Sequence, residues 1–232
     1  CKAASQLGAQ CYDLRTPKDF SIMKKYGLRP TVVAGAMTLV GGCNRKEDHP
    51  EAEKKMHGLI DAVAAAGGGS VIALSGNRRG MSDEEGMDNV VAYMNRVKAH
   101  AEDKGVMICM ELLNSKVDHP DYMCDHTAWG VEMVRRVNSP QIKLLYDIYH
   151  MQIMEGDIIR TLRNNIQYIG HLHTAGNPGR NEFDLDSQEM NYRGICRAIA
   201  ELNYTGYLSH EYSPRNPEPL KVLNDMMTIC DV

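Results

Sequence analysis

Tyr168-Ile169-Gly170-His171-Leu172-His173-Thr174-Ala175 runs directly into Gly176-Asn177-Pro178-Gly179-Arg180. An apolar approach, two histidines at i and i+2, and an abrupt Gly/Pro loop describe a β-strand cut off at its C-terminal end. Residues two apart on a strand share a face, so both imidazoles point the same way. A neutral imidazole at a strand end is a good ligand for a divalent ion, whereas a lone buried histidine more often belongs to a hydrogen-bonded core. The neighbouring strands decide between these readings, because three others also end in a carboxylate.

On either side, strand-like and helix-like segments alternate almost without interruption. Residues 1–7 read as the end of a helix, 8–14 as a strand, and 16–26 as a helix that Thr16 caps, with Pro17 in its first turn. The β-branched run 30–36 reads as a strand, and 50–66 as a helix stopped by Gly67-Gly68-Gly69. Strand 70–74 empties into a polar loop, and Ser82 with Glu85 forms a capping box for a long helix that Gly105 ends. Residues 106–112 form a near-continuous apolar run, as in a strand covered on both faces, and Glu111 is the anomaly within it. Helices at 122–137, 154–164, 188–202 and 218–230 then alternate with strands at 142–147, 168–173 and 206–211.

Seven strands against eight helical segments build either a doubly wound sheet or a closed barrel. No glycine-rich dinucleotide fingerprint or Walker loop follows any strand, which counts against a nucleotide-binding doubly wound fold. Supplying one strand before Cys1 would complete eight pairs. The expected architecture is therefore one domain spanning 1–232, an α/β (β/α)8 TIM barrel whose first strand this sequence lacks.

The 232 residues are 43% hydrophobic and 24% charged, ordinary values for a globular chain. A net charge of −4 without a basic block argues against nucleic-acid binding through phosphate neutralisation. Seven scattered cysteines with no Cys-x-x-Cys pair fit reduced thiols and a cytoplasmic setting. No apolar run reaches the length of a membrane span, so no membrane partner is expected. Nothing sets the oligomeric state, and a homo-oligomer is admissible.

In a β/α barrel the C-terminal strand ends converge on one mouth. Four successive strands end in Glu111, Asp147, His173 and Glu211, a donor set for Mn²⁺, Mg²⁺, Co²⁺ or Zn²⁺. Singly, each acid reads equally well as a rim salt bridge or helix cap. Four at the same place in successive units point to a metal site. His150, three residues beyond Asp147, is placed to hydrogen-bond a substrate oxygen, and Asn114 to orient the chain after Glu111 or cap its loop. Arg78 and Arg180 are candidates for a forked contact with a substrate carboxylate. His171 lies one layer deeper than His173 and reads as a buttress.

Four segments carry a family resemblance: Met110-Glu111-Leu112-Leu113-Asn114, Tyr146-Asp147-Ile148-Tyr149-His150, Gly170-His171-Leu172-His173 with Pro178-Gly179-Arg180, and His210-Glu211-Tyr212. Together they resemble the hydroxypyruvate isomerases and, more broadly, the xylose isomerase-like sugar isomerase and epimerase barrels, including ketose 3-epimerases. The resemblance implies that Glu111, Asp147, His173 and Glu211 ligate a divalent metal. It also implies that Glu111 and Glu211 are the catalytic acid/base pair. Several hydroxypyruvate isomerases carry glutamine at the ligand position held here by His173, which tilts the likeness towards the epimerase-like members. Arg180 occupies the region of an arginine found in the ketose epimerases, at slightly different spacing.

The chemistry so implied is aldose–ketose isomerisation of a small hydroxy-carbonyl acid such as hydroxypyruvate, or of a sugar. A divalent ion stabilises the enediolate and two carboxylates exchange the proton. A DNA-repair endonuclease of the same superfold would need further ligands and a basic surface. His49, His57, His100, His119 and His126 do not fall at enough strand ends, and the net charge has the wrong sign. A non-catalytic barrel that keeps the metal is the remaining alternative.

Overall fold

The computed structural model describes residues 1–184 and 186–232. Seven parallel strands follow one another in sequence order: β1 (Cys11–Asp13), β2 (Arg29–Thr31), β3 (Ser70–Ala73), β4 (Met107–Leu112), β5 (Ile142–Asp147), β6 (Ile169–Thr174) and β7 (Tyr207–His210). β1 pairs with β2, and β3 to β7 form a five-stranded sheet. The two join where Val33 bridges Val71, its N–H donating to Ser70 O at 2.9 Å. The curl brings β7 back towards β1, with Cys11 Sγ 3.5 Å from Ser209 Oγ. Among the described residues no ladder joins those two strands.

Helices cover the outside: α1 (Lys2–Gln6), α2 (Phe20–Lys25), α3 (His49–Ala65), α4 (Asp83–Lys104), α5 (Thr127–Val137), α6 (Ile148–Met154), α7 (Ile158–Asn165), α8 (Tyr192–Glu201) and α9 (Pro219–Cys230). None of them is long and apolar enough to cross a membrane. Alternation along the strands divides the interior in two. Outward-facing Ile108, Met110, Leu112, Leu144, Tyr146 and Leu172 join Met94, Val97, Met133 and Leu162 of the helices in one large core. Ile72, Cys109 and Leu145 face the other way and meet Val32 in a small cluster inside the curl. Full burial is worth about 1.5–3 kcal/mol per large aliphatic side chain, so the outer layer carries most of the stability. The inner face is left free for polar groups at its upper end.

Several elements differ from the sequence expectation for local reasons. The 30–36 strand is interrupted at Val32, which adopts φ 37° and gives its N–H to the Ser70 hydroxyl at 2.8 Å. The 122–137 helix begins only at Thr127, because Tyr122 to Cys124 are tied to β4 and to the loop after β3. Tyr122 Oη donates to Glu111 O at 3.0 Å, and Cys124 N–H donates to Ser75 Oγ at 2.9 Å. The 154–164 helix starts late, as α7 from Ile158, and a separate helix precedes it. α6 starts straight after β5, capped by Asp147, and breaks at Gly156 and Asp157, both with positive φ. Of the Ser82–Glu85 capping box the Ser82 half forms, Oγ accepting from Glu85 N–H at 3.2 Å, and Thr16 caps its segment as expected, within a capping box that Asp19 completes.

One irregularity sets the position of the opening strand. Leu144 pairs with Ile169 but Leu145 with His171, so Gly170 is the extra residue of a bulge. A Cβ there would collide with Met107 Sδ and lie 2.8 Å from Lys143 Cβ. With Gly170 absorbing the shift, Asp147 and His173 become register partners on adjacent strands.

Candidate metal and active site

Period-two alternation brings Glu111 above Cys109, Asp147 above Leu145 and His173 above His171, all on the inner face. Glu211 follows β7 directly, held by its N–H donating to Thr174 O at 3.0 Å. One ligand-type atom from each of Glu111, Asp147, His173 and Glu211 lies within 4.8 Å of the others. His173 Nδ1 is 3.0 Å from Glu211 Oε2, 3.8 Å from Glu111 Oε1 and 4.0 Å from Asp147 Oδ2. The four residues named from the sequence therefore share one point in space.

Each of these side chains is positioned by its own element. Asp147 divides its carboxylate: Oδ1 caps α6, accepting from Tyr149 N–H at 2.8 Å and His150 N–H at 3.3 Å. Its Oδ2 faces the cluster, buried and without a hydrogen-bond partner among the described residues. His173 is fully buried and its Nε2–H donates to Asp13 Oδ2 at 3.0 Å, so in a neutral ring Nδ1 carries a lone pair. That lone pair faces the Glu211 carboxylate at 3.0 Å. Two acceptors that close and sheltered from water repel unless a proton or a cation lies between them.

The electrostatics are those of a site built around positive charge. Burial, and then the Glu211 carboxylate, push Glu111 up to about 8. Burial opposes ionisation of Glu211 too, but the hydrogen bond and charge of His173, and then Arg180, bring it down to about 2. His173 is drawn well above its ordinary value; burial works against this, and its contacts with Asp13 and Glu211 outweigh it. A divalent ion would relieve the carboxylate repulsion and satisfy the lone Nδ1 and Oδ2 atoms together. Two ligands at right angles, each about 2.1 Å from one ion, sit about 3 Å apart, close to the observed Nδ1–Oε2 approach. The residues present fit a divalent metal.

His150 lies beside this group, fully buried, with Nε2 3.7 Å from Asp147 Oδ2. Asn114 fixes its tautomer. Asn114 Oδ1 accepts from Val117 N–H at 3.0 Å and Asp118 N–H at 2.8 Å, so its Nδ2 is the donor to His150 Nδ1 at 2.6 Å. The remaining proton sits on His150 Nε2, which has no partner among the described residues. Burial lowers this imidazole to about 4, leaving a neutral donor near neutral pH. Asn114 therefore acts on its loop and on His150, both within the protein.

Arg180 comes over the cluster from the segment that follows β6. Its Nη2 is 3.0 Å from Glu211 Oε2 and 3.6 Å from Asp147 Oδ2, and its guanidinium lies 5.4 Å from the Tyr149 ring centre. Arg78 is spent elsewhere. It pairs with Asp83 at 2.7 Å and Asp125 at 3.5 Å and donates to Tyr122 O and Met123 O at 3.0 and 3.1 Å. The expectation of a substrate contact from Arg78 is corrected accordingly, since a guanidinium so engaged is a strut between loops. Arg78→Ala is expected to lower stability by about 1–3 kcal/mol in denaturant unfolding while leaving KM for any substrate unchanged.

Sequence reasoning passed over Asp13. Its Oδ2 accepts from His171 Nε2–H at 2.7 Å as well as from His173, and the Thr31 hydroxyl donates to its Oδ1. Asp13, His171 and His173 form a second close group of ligand-type atoms. The signal was available, because Asp13 is the last residue of β1 as Asp147 is of β5.

A family model described as xylose isomerase-like TIM barrel matches residues 4–229. A putative hydroxypyruvate isomerase of Danio rerio is 31% identical over 128 residues, 55% of this chain and 46% of that protein. A 2-oxo-tetronate isomerase of Cupriavidus necator is 35% identical over 112 residues, and the hydroxypyruvate isomerase of Escherichia coli 33% over 110; these matches cover 48% and 47% of this chain. Each covers 42% of the relative, so the chain spans about half or less of the length of the curated relatives it matches. Among solved structures, an AP endonuclease of family 2 from Brucella melitensis superposes with TM-score 0.80 at 21% identity, covering 93% of this chain and 86% of that one. A D-psicose 3-epimerase from Clostridium cellulolyticum H10, solved with D-tagatose, gives TM-score 0.75 at 19% identity, covering 97% and 84%. At those identities the structural likeness is one of fold.

Proposed function

The chain belongs to the xylose isomerase-like TIM-barrel family, and from that premise we propose a divalent-metal-dependent isomerase of a small hydroxy-carbonyl acid, with hydroxypyruvate as the first substrate to test. The observation that carries this reading is the convergence of Glu111, Asp147, His173 and Glu211 within 4.8 Å at the barrel mouth. The relatives named for hydroxypyruvate and 2-oxo-tetronate isomerisation support the substrate class.

Interconverting hydroxypyruvate and tartronate semialdehyde moves one proton between adjacent carbons and one between their oxygens. The C3–H is weakly acidic, and its removal leaves an enediolate. Glu111, Asp147, His173 and Glu211 would hold the metal, which when bound supplies Lewis-acid polarisation of the substrate oxygens worth several kcal/mol. Glu111 and Glu211 arrive from strands at opposite parts of the curl. One takes the proton from C3 and the other returns a proton at C2, a contribution of about 10²–10⁴-fold. His150 Nε2–H donates to a substrate oxygen, with Asn114 holding the ring in that tautomer. Arg180, beside Glu211, is placed to fork onto the substrate carboxylate.

The second reading is a ketose 3-epimerase, in which the same two glutamates act on opposite faces of one carbon. The histidine at position 173, where a glutamine stands in several hydroxypyruvate isomerases, favours it. Purified protein supplied with Mn²⁺ or Mg²⁺ is expected to convert hydroxypyruvate to tartronate semialdehyde. Inertness there with turnover of a ketopentose or ketohexose selects the epimerase. No turnover and no deuterium uptake from D₂O by any of these substrates contradicts both.

A further inference from the structure

We propose that Asp13 is the residue that commits His173 to metal binding: by accepting its Nε2 proton from across the barrel, Asp13 leaves Nδ1 as the bare nitrogen aimed at the three carboxylates. This rests on the reading of His173 as a ligand. Asp13 is not one of the four ligands and comes from β1, which the curl brings up to β7, the neighbour of β6. It ties three strands together. His171 and His173 of β6 donate to its Oδ2 at 2.7 and 3.0 Å, and Thr31 of β2 donates to its Oδ1.

The same atoms admit another account, a second ion among Asp13, His171 and His173. The geometry decides against it. Even ligands at right angles, each about 2.1 Å from one ion, stand about 3 Å apart, whereas His171 Nε2 and Asp13 Oδ2 are 2.7 Å apart, a hydrogen-bond length. A second ion would also take the Nε2 proton of His173 and turn the ring into a bridging anion between two cations. A single carboxylate receiving two N–H donors requires neither. His171 then serves as the second donor that fixes where the Asp13 carboxylate sits, so that His173 meets it in one orientation. A carboxylate behind a ligating imidazole orients the ring and raises its basicity, and losing such a partner typically costs about 10–100-fold in metal affinity.

The test is Mn²⁺ titration of the intact protein, read as free-ion electron paramagnetic resonance, with far-UV circular dichroism to confirm the fold. Wild type is expected to bind one ion per chain. Asp13→Ala is expected to bind it about 10–100-fold more weakly, and Asp13→Asn, which keeps an acceptor oxygen in the same place, recovers most of that loss. Should Asp13→Ala not fold, Asp13→Asn decides by itself, a small measurable loss of affinity supporting the proposal. Unchanged affinity in the folded Asp13 variants overturns it. So does a wild-type stoichiometry of two ions that falls to one in Asp13→Ala. Wild type binding no Mn²⁺ overturns the ligand reading itself, a result distinct from normal binding that ignores Asp13.

Discussion

Glu111→Gln and Glu211→Gln are each expected to lower isomerase turnover by about 10²–10⁴-fold while leaving the barrel folded. Glutamine keeps the shape of glutamate but can neither accept the substrate's carbon-bound proton as a base nor act as its acid. The two variants should differ in their side effects. Glu111 is 7% exposed and its charge is opposed by burial, so Glu111→Gln removes an unfavourable buried ionisation and is expected to hold or raise the thermal midpoint. Glu211 lies 3.0 Å from the Arg180 guanidinium, so Glu211→Gln strips that cation of its nearest counter-charge and is expected to lower it. Turnover of both variants within a few-fold of wild type would contradict the shuttle.

Chelation is the second large effect. With the ion removed, activity is expected to fall to background and to return on adding Mn²⁺ or Mg²⁺. A ligand that binds only the folded chain stabilises it by mass action, about 2.7 kcal/mol at a hundred times its dissociation constant. For a chain of this size that corresponds to a rise in thermal midpoint of roughly 5–10 °C. The rise should be absent in His173→Ala and Asp147→Ala, whose side chains supply the orphaned Nδ1 and Oδ2. A midpoint indifferent to both chelator and metal would contradict a resident cation.

The four-residue cluster was legible because acids inside apolar strands have no cheap structural role. Glu111 interrupts a run of buried residues, and strand periodicity then fixes which face it takes. The alternation of elements disclosed the barrel for the same reason, since each strand needs a covering helix. What stayed hidden depends on partners far away in the chain. Asp13 closes a three-residue strand and looks like a loop acid until His171 and His173, some 160 positions on, are folded against it. Arg78 looked free because its partners come from separate places, Asp83 from the first turn of α4 and Asp125 from the segment before α5. The start of α6 was invisible because Ile148-Tyr149-His150 gives no cap signal except the Asp147 side chain, already assigned to the metal. One carboxylate divides its oxygens, Oδ1 capping the helix and Oδ2 facing the cluster.

Pulsed electron paramagnetic resonance of the Mn²⁺-loaded protein tests the central claim most directly. One ion per chain, with nitrogen coupling from a single directly bound imidazole that disappears in His173→Ala, is the predicted result. Mn²⁺ that binds without any coupled nitrogen, or whose coupling survives the loss of His173, would contradict a site shared by these four side chains.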